Sequence, residues 1–155
     1  MEQKTKIAAE DGKQEILITR TFDLPVHLLF KAYTDASLVE QWMGNKVLNL
    51  ENKAHGSYQF ETVDERGNVL FRANGAIHKI IENQNITRTF EMENTGFPVQ
   101  LEFLDFQSVD DQTSRLVMQI VFKSVEDRDN MLKLPFAMGI NMAHNQLQKV
   151  ISKLK

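Results

Sequence analysis

The stretch FDLPVHLLFKAYTDASLVEQWMG, residues 22–44, decides the fold because it places helical sequence between segments that alternate like strands. Its apolar residues after Pro25 recur at spacings of three and four, which is the period of a helix with one buried side. Pro25 suits the first turn of that helix, because its missing N–H has no partner there in any case, and Asp23 is a candidate cap. A first short helix is therefore predicted from about Pro25.

A second short helix is predicted directly after the first. Asp35 or Ser37 can cap it, and Gly44 ends it. It carries Trp42, the single tryptophan of the chain. Two short helices between strands favour a fold that encloses a cavity, with Trp42 as a bulky plug at one end.

The pattern outside these helices, up to residue 123, has the period of two that is typical of strands. Residues 1–13 are polar and carry a turn signal at Asp11 and Gly12, so the first strand is expected from Gln14. The later connections are short and rich in turn residues, which favours an antiparallel meander. Six further strands are predicted at 46–51, 56–64, 69–81, 85–93, 99–107 and 114–123.

A long helix is predicted at the C-terminal end. Ser124 begins a capping-box pattern, and the helical period resumes after Pro135. Its apolar stripe must lie on an apolar surface. The stripe consists of Phe136, Ile140, Ala143, Leu147, Val150 and Leu154. Residues 1–155 are therefore expected to form one α+β domain, in which a curved seven-stranded antiparallel sheet surrounds the long C-terminal helix.

Composition excludes several classes of function. The net charge is -3 and the basic residues are scattered, so a nucleic-acid-binding face is not expected. The chain has no cysteine, which excludes disulfides and thiolate nucleophiles. The four histidines lack metal-ligand spacing and no phosphate-binding loop is present, so neither a metal nor a cofactor is expected. No apolar run has membrane-spanning length and no signal peptide is recognisable, so a cytoplasmic protein without membrane insertion is expected.

Arg88 is the most informative polar residue, because strand alternation puts it in phase with Phe90 on the side facing the long helix. A guanidinium there is costly unless it meets a carboxylate, a carbonyl, water or an anionic ligand. Three explanations stay open. Arg88 pairs with Glu61, Glu102 or Asp105, a register shift turns it outward, or it binds a ligand.

Most inward apolar side chains are expected to fill an ordinary core, and a subset is proposed to line the cavity. On strand 99–107, the inward residues are predicted to be Val99, Leu101, Phe103 and Asp105. The predicted ligand-binding residues are Trp42, Phe60, Phe71, Arg88, Phe90, Phe103, Met118, Met138 and Met142.

The order of these motifs resembles a known family. Residues 18–44, ITRTFDLPVHLLFKAYTDASLVEQWMG, are similar to the N-terminal signature of the activator-of-heat-shock-ATPase homologue (AHSA-type) family, within the START-like, or SRPBCC, superfamily. The run SVEDRDNMLKLPFAMGI, residues 124–140, resembles the segment before that family's final helix. The matching N-terminal residues are Arg20, Phe22, Pro25, Phe30, Ala32, Tyr33, Thr34, Asp35, Trp42, Met43 and Gly44.

The resemblance implies a helix-grip fold, in which a curved antiparallel sheet grips a long C-terminal helix. It also implies a range of functions. Members of the superfamily bind lipids, sterols, polyketides and other hydrophobic molecules. Some are cyclases or hydratases, and the eukaryotic namesake stimulates a chaperone ATPase.

Three functions are therefore considered. The favoured one is a binding or carrier protein for a small, largely hydrophobic molecule, held in a cavity between the sheet and the C-terminal helix. The second is a co-chaperone-like module whose partner is a chaperone. The third is a cyclase- or hydratase-type enzyme that uses dispersed polar groups such as Arg88, Tyr58, Glu91 or Asn141. No convergent acid–base pair is recognisable, so no catalytic residue is assigned.

Overall fold

The structure, a computed structural model, describes residues 4–155. In this part of the chain, eight strands form one antiparallel sheet, accompanied by four helices. The strands are β1 (Lys6–Ala8), β2 (Glu15–Phe22), β3 (Lys46–Leu50), β4 (Ser57–Val63), β5 (Val69–Ile81), β6 (Asn85–Met92), β7 (Gln100–Asp110) and β8 (Thr113–Val121). The helices are α1 (Val26–Thr34), α2 (Ala36–Met43), α3 (Val125–Leu132) and α4 (Phe136–Ser152). The predicted α+β helix-grip architecture is confirmed.

The two short helices connect opposite sides of the sheet. The strand order is β1-β2-β8-β7-β6-β5-β4-β3, so β2 and β3 are far apart although α1 and α2 join them directly. The helices therefore have to cross the sheet, and they cross the face that carries the buried core, called the inner face below. Leu29 of α1, Val39 of α2 and Leu147 of α4 belong to the same apolar cluster as Ile18 and Leu104 of the strands.

The sheet has one strand more than predicted. β1 pairs antiparallel with β2, with Ile7 opposite Ile18, after a turn in which Gly12 has a φ of 78°. The prediction that the first strand begins near Gln14 is therefore wrong. β1 is a three-residue strand at the edge of the sheet, and only its middle residue is half-buried. So short an edge strand has no recognisable alternation in the sequence.

The helix ends follow the sequence signals with one exception. Asp35 caps α2, because its carboxylate accepts a hydrogen bond from the Leu38 N–H at 3.1 Å. Gly44 ends α2 in the left-handed conformation, with a φ of 69°. Asp23 does not cap α1. Pro25 itself occupies the N-cap position, and no side chain caps that helix.

The core-facing side of α4 was predicted correctly at its centre and wrongly at its end. Leu147 is completely buried and Val150 is also buried. His144 and Ile151 are buried beside them. Leu154 is 45% exposed, because α4 ends at Ser152 and the helical period no longer applies beyond that point.

The prediction of which β7 side chains face inward is wrong. The buried side chains are Gln100, Glu102, Leu104 and Phe106, whereas Leu101 and Asp105 are exposed and Phe103 is half-buried. The pairing register explains this result, because directly opposed residues of an antiparallel pair share a face and Arg88 lies opposite Glu102. The polar residues of this strand face inward, so an assignment based on apolar alternation selects the opposite side.

A buried polar contact holds α4 against β2. The Arg20 guanidinium, at an inner position of β2, donates to the Asn145 side-chain oxygen of α4 at 2.9 Å. The His144 ring is hydrogen-bonded through Nδ1 to the Thr5 hydroxyl at 2.7 Å. Burial, with a smaller contribution from the positive charge of Arg20, lowers the pKa of His144 to about 4. His144 is therefore neutral at pH 7.

None of the helices within residues 4–155 is long and apolar enough to cross a membrane.

Replacing Leu147 by alanine is expected to lower the free energy of unfolding by about 2–5 kcal/mol, because the site is completely buried and a cavity would remain. Urea denaturation at pH 7 measures this loss. Leu154→Ala is the matched control, and its effect should stay within about 0.5 kcal/mol because Leu154 is largely exposed. Equal effects of the two substitutions would contradict the observed position of α4.

The free energy of unfolding is expected to fall as the pH is lowered from 7.5 to 5. The pKa of His144 is lower in the folded chain than in the unfolded one, so the unfolded state takes up more protons between pH 6.5 and pH 4. His144 should account for a loss of about 2 kcal/mol at pH 5. Denaturation at both pH values should give a smaller pH-dependent loss for His144→Gln, which cannot titrate. An identical loss in both proteins would exclude His144 as the cause.

Candidate functional site

Arg88 lies on the inner face of β6, as its phase predicts. Its side chain is 12% exposed, and its Nε donates a hydrogen bond to Glu102 Oε1 at 2.9 Å. Of the three carboxylates considered, Glu102 is therefore the partner. The other oxygen of Glu102 accepts from Gln100 Nε2 at 2.8 Å, and the Glu102 side chain is 4% exposed. Arg88, Glu102 and Gln100 together are called the Arg88 network below.

An aromatic side chain of β4, two strands away from β6, supports this network. The guanidinium carbon of Arg88 lies 5.2 Å from the centre of the Tyr58 ring, a favourable distance for a cation–π contact. The Tyr58 hydroxyl donates to the Thr89 carbonyl. Gly75 makes room for the ring, because a Cβ at this position would come within 2.6 Å of Tyr58 atoms. The sequence pattern does not reveal this requirement, since it depends on which residue lies opposite Tyr58.

The electrostatics keep the arginine charged and the phenols neutral. Burial raises the pKa values of Tyr33 and Tyr58, an effect that Arg88 partly opposes. Burial also disfavours the charge on Arg88, but Tyr58 and Glu102 outweigh it and the net shift of the Arg88 pKa is upward. The site therefore combines one cation, one carboxylate partner and two neutral hydroxyl groups.

The network leaves hydrogen-bonding capacity unused. Among the described residues, Arg88 donates to the protein only through Nε, and the Tyr33 hydroxyl has no protein partner. The fully buried polar atoms without a hydrogen-bond partner do not include the terminal nitrogens of Arg88 or the Tyr33 hydroxyl. These atoms are therefore partly accessible to solvent. The terminal nitrogens of Arg88 and the Tyr33 hydroxyl can thus donate to a group that is not part of the protein.

The side chains on the inner face of β6 become less buried toward the C-terminal end of the strand. Ile86 is buried, whereas Phe90 and Met92 are half-buried, and Phe71 on β5 is half-buried as well. These half-buried residues lie on one side of Arg88, toward the end of β6. The inner face is therefore incompletely covered next to the Arg88 network.

The predicted ligand-binding residues fall into two groups. Six of them occupy the inner face or the helices above it. Trp42, Phe60 and Met118 are buried in the apolar cluster, while Phe71, Arg88 and Phe90 are less completely covered. Trp42 also donates from its indole Nε1 to the Ala32 carbonyl at 2.7 Å, which fixes the ring in the core.

The remaining three predicted residues lie elsewhere. Phe103 is on the outer face of β7, opposite Gln119 of β8, because the phase of β7 is reversed. Met138 and Met142 are each 63% exposed. Each methionine is two positions from Phe136 or Ile140, and two residues of a helix correspond to about 200°, so both lie on the opposite side from the core. Their assignment to a cavity lining is wrong.

A pocket of ≈ 380 Å³ lies where the end of α1 meets the end of β5. Its lining residues are Phe30, Thr34, Asn52, Ile80 and Glu82. None of the predicted ligand-binding residues is among them, so this pocket is not the one that the sequence predicted.

Sequence reasoning did not include Tyr33 and Gln100 in the site, and it named Glu102 only as one of three partners for Arg88. Gln100 and Glu102 share a strand phase with Leu104 and Phe106, and this phase of two polar and two apolar residues was the available signal. It becomes informative once the register places Glu102 opposite Arg88.

Replacing Glu102 by leucine is expected to lower the free energy of unfolding by about 3–5 kcal/mol, because it leaves the Arg88 charge buried without its partner. The double variant Arg88→Met/Glu102→Leu should regain most of this loss, since neither charge remains. Urea denaturation at pH 7 measures both effects. Glu61→Leu is the matched control, because it removes the partner of the more exposed Arg72 and should cost under about 1 kcal/mol. A double variant as unstable as Glu102→Leu would contradict this account.

Comparison with known proteins places the chain in a family. The model of the family described as Activator of Hsp90 ATPase homolog 1-like protein matches residues 23–152. A search of curated protein sequences gives no match. The crystal structure of protein Ms6760 from Mycobacterium smegmatis is similar at 19% identity and a TM-score of 0.83, covering 95% of this chain and 96% of that one.

Two further solved structures share the architecture. A solution structure of a protein from Arthrobacter aurescens has a TM-score of 0.85 at 15% identity, with 96% of this chain and 91% of that chain covered. A crystal structure of a protein from Rhodobacter sphaeroides has a TM-score of 0.84 at 16% identity, with 96% and 99% covered. At such low identities these likenesses concern the fold alone. The family model carries the assignment, and the chain belongs to the family of Activator of Hsp90 ATPase homolog 1-like proteins.

Proposed function

We propose that this protein binds or carries a small, largely hydrophobic molecule between the inner face of the sheet and α4. The observation that carries the proposal is the unused hydrogen-bonding capacity of Arg88 on an inner face that is mostly apolar. Burying an arginine whose donors have no protein partner costs free energy, unless those donors meet water or a ligand.

The surroundings of Arg88 favour an apolar ligand body. Phe90 and Met92 follow Arg88 on β6 and are half-buried, and Phe71 is half-buried on β5. A molecule that covered these side chains would remove apolar surface from water, at about 25 cal/mol per Å². Arg88 would then orient an oxygen at the end of the molecule. Trp42, Phe60 and Met118 complete the proposed lining from the buried side.

A protein-interaction function is the second candidate. The family takes its description from an activator of the Hsp90 ATPase, which suggests a chaperone as the partner. The exposure of Met138 and Met142 on the outer side of α4 favours this candidate. An enzymatic function gains less support, because both oxygens of Glu102 already accept hydrogen bonds from protein groups and no acid–base pair lies beside them.

The proposal is tested with N-phenyl-1-naphthylamine, a neutral apolar probe whose fluorescence increases in an apolar site. Phe90→Ala should weaken probe binding about tenfold, because it removes part of the apolar contact surface. Phe103→Ala is a matched control, since Phe103 is a half-buried phenylalanine on the outer face of the adjacent strand. Its probe affinity should equal that of the parent.

A native mass spectrometry screen against lipids, flavonoids and polyketides extends the test to molecules of other shapes. If neither the probe nor any of these compounds binds, the small-molecule proposal fails and the chaperone-partner candidate takes its place. If Phe103→Ala weakens binding as much as Phe90→Ala, the ligand does not lie on the inner face.

A further inference from the structure

We propose that the polar end of the ligand is an uncharged oxygen, a carbonyl or a hydroxyl, and that Glu102 excludes carboxylates from the site. This inference rests on the proposed function and adds to it the chemical class of the ligand. In this arrangement the terminal nitrogens of Arg88 and the Tyr33 hydroxyl donate to the ligand oxygen.

The charge balance of the site is the first argument. Arg88 and Glu102 form a close ion pair, at 2.9 Å between Nε and Oε1, and their side chains are 12% and 4% exposed. In the described structure, the inner positions of β4, β5, β6 and β7 carry no other ionised side chain. The site is therefore neutral before a ligand enters. A carboxylate would bring an uncompensated negative charge into a buried site, whereas a ketone, ester or phenol would not.

The fixation of Glu102 is the second argument. A ligand carboxylate could replace Glu102 at Arg88 only if the Glu102 side chain moved away. Gln100 opposes this movement, because its Nε2 donates to the second oxygen of Glu102 at 2.8 Å and Gln100 is itself buried. Displacing Glu102 would break both hydrogen bonds and leave a carboxylate buried without partners. The existing ion pair therefore competes with an anionic ligand.

The third argument is that the unused groups of the site are hydrogen-bond donors. A guanidinium has only N–H donors, and its two terminal nitrogens are not used by the described residues. Tyr33 is buried edge-on against Trp42, with ring centres 5.1 Å apart, and the charges of Arg88 and Glu102 act on the pKa of its hydroxyl in opposite directions. These groups together match an acceptor oxygen. A carbonyl can accept from both, and a ligand hydroxyl can accept from Arg88.

Three probes that differ only in one substituent test this inference: naphthalene, 2-naphthol and 2-naphthoate, titrated at pH 7 by calorimetry and followed through the indole resonance of Trp42. 2-Naphthol, which is uncharged at this pH, should bind about tenfold more tightly than naphthalene because of the added hydrogen bond to a charged donor. 2-Naphthoate should bind at least about tenfold more weakly than 2-naphthol.

Glu102→Gln supplies the decisive comparison, because it keeps the shape of the side chain and leaves Arg88 with an uncompensated charge. In this variant 2-naphthoate should become the tightest of the three probes. Glu61→Gln is the control, since it removes the negative charge beside Arg72 on the outer face and should keep the parent's order of affinities. Should Glu102→Gln fail to fold, Arg88→Met/Glu102→Leu serves instead, and its preference for 2-naphthol over naphthalene should disappear.

The outcomes separate the two proposals. If naphthalene binds and 2-naphthoate binds the parent as tightly as 2-naphthol, the protein is a binder but the inference is wrong. The inference is also wrong if Glu102→Gln keeps the parent's order, or if the double variant keeps the preference for 2-naphthol. If none of the three probes binds, the small-molecule function is overturned and the inference with it.

Discussion

The pairing of β2 with β8 is the contact on which the rest of the structure depends. It places the first long strand beside the last one, with Ile16 opposite Ile120 and Ile18 opposite Met118. β3 then begins at the far edge of the sheet. The chain between β2 and β3 has to cross the inner face, and α1 and α2 make this crossing. The same pairing provides the inner surface of β2 against which the polar side of α4 is held.

The inner face combines an apolar core with a polar position around Arg88 that the protein itself largely satisfies. Glu102 neutralises Arg88, Gln100 holds Glu102, and the Tyr58 ring lies under the guanidinium. A buried ion pair contributes little net stability, because desolvation of both charges offsets their attraction. Under the proposed function, the remaining donors of this pair bind a ligand, and the position of the pair beside half-buried apolar residues is consistent with that use.

The helix α4 is unevenly covered along its length. Its C-terminal half is part of the core through Leu147, Val150 and Ile151, whereas residues near its start are only half-buried or exposed. Local stability follows the number of buried apolar contacts, so the start of α4 is the part that can adjust most easily to a ligand or a partner. The buried contacts of Leu147, Val150 and Ile151 thus hold the C-terminal half of α4 most firmly.

The sequence by itself determined what depends on local spacing. The two short helices in residues 22–44, the stop at Gly44 and the burial of Leu147 all follow from residue type and helical period, whereas the choice of Asp35 over Ser37 as the cap of α2 does not. The order of these elements also determined the family and the helix-grip architecture. Arg88 was recognised because its charge interrupts an apolar phase, a signal that lies within one strand.

Only the tertiary structure decided what depends on pairing between distant segments. The register that puts Glu102 opposite Arg88 reverses the expected phase of β7, and it moves Phe103 to the outer face. β1 exists because β2 offers it an edge, although its own sequence has no strand pattern. Local periodicity indicates which side chains of one segment lie on the same face. The partner on that side is set by the alignment of strands that are far apart in the chain, and no single segment contains that information.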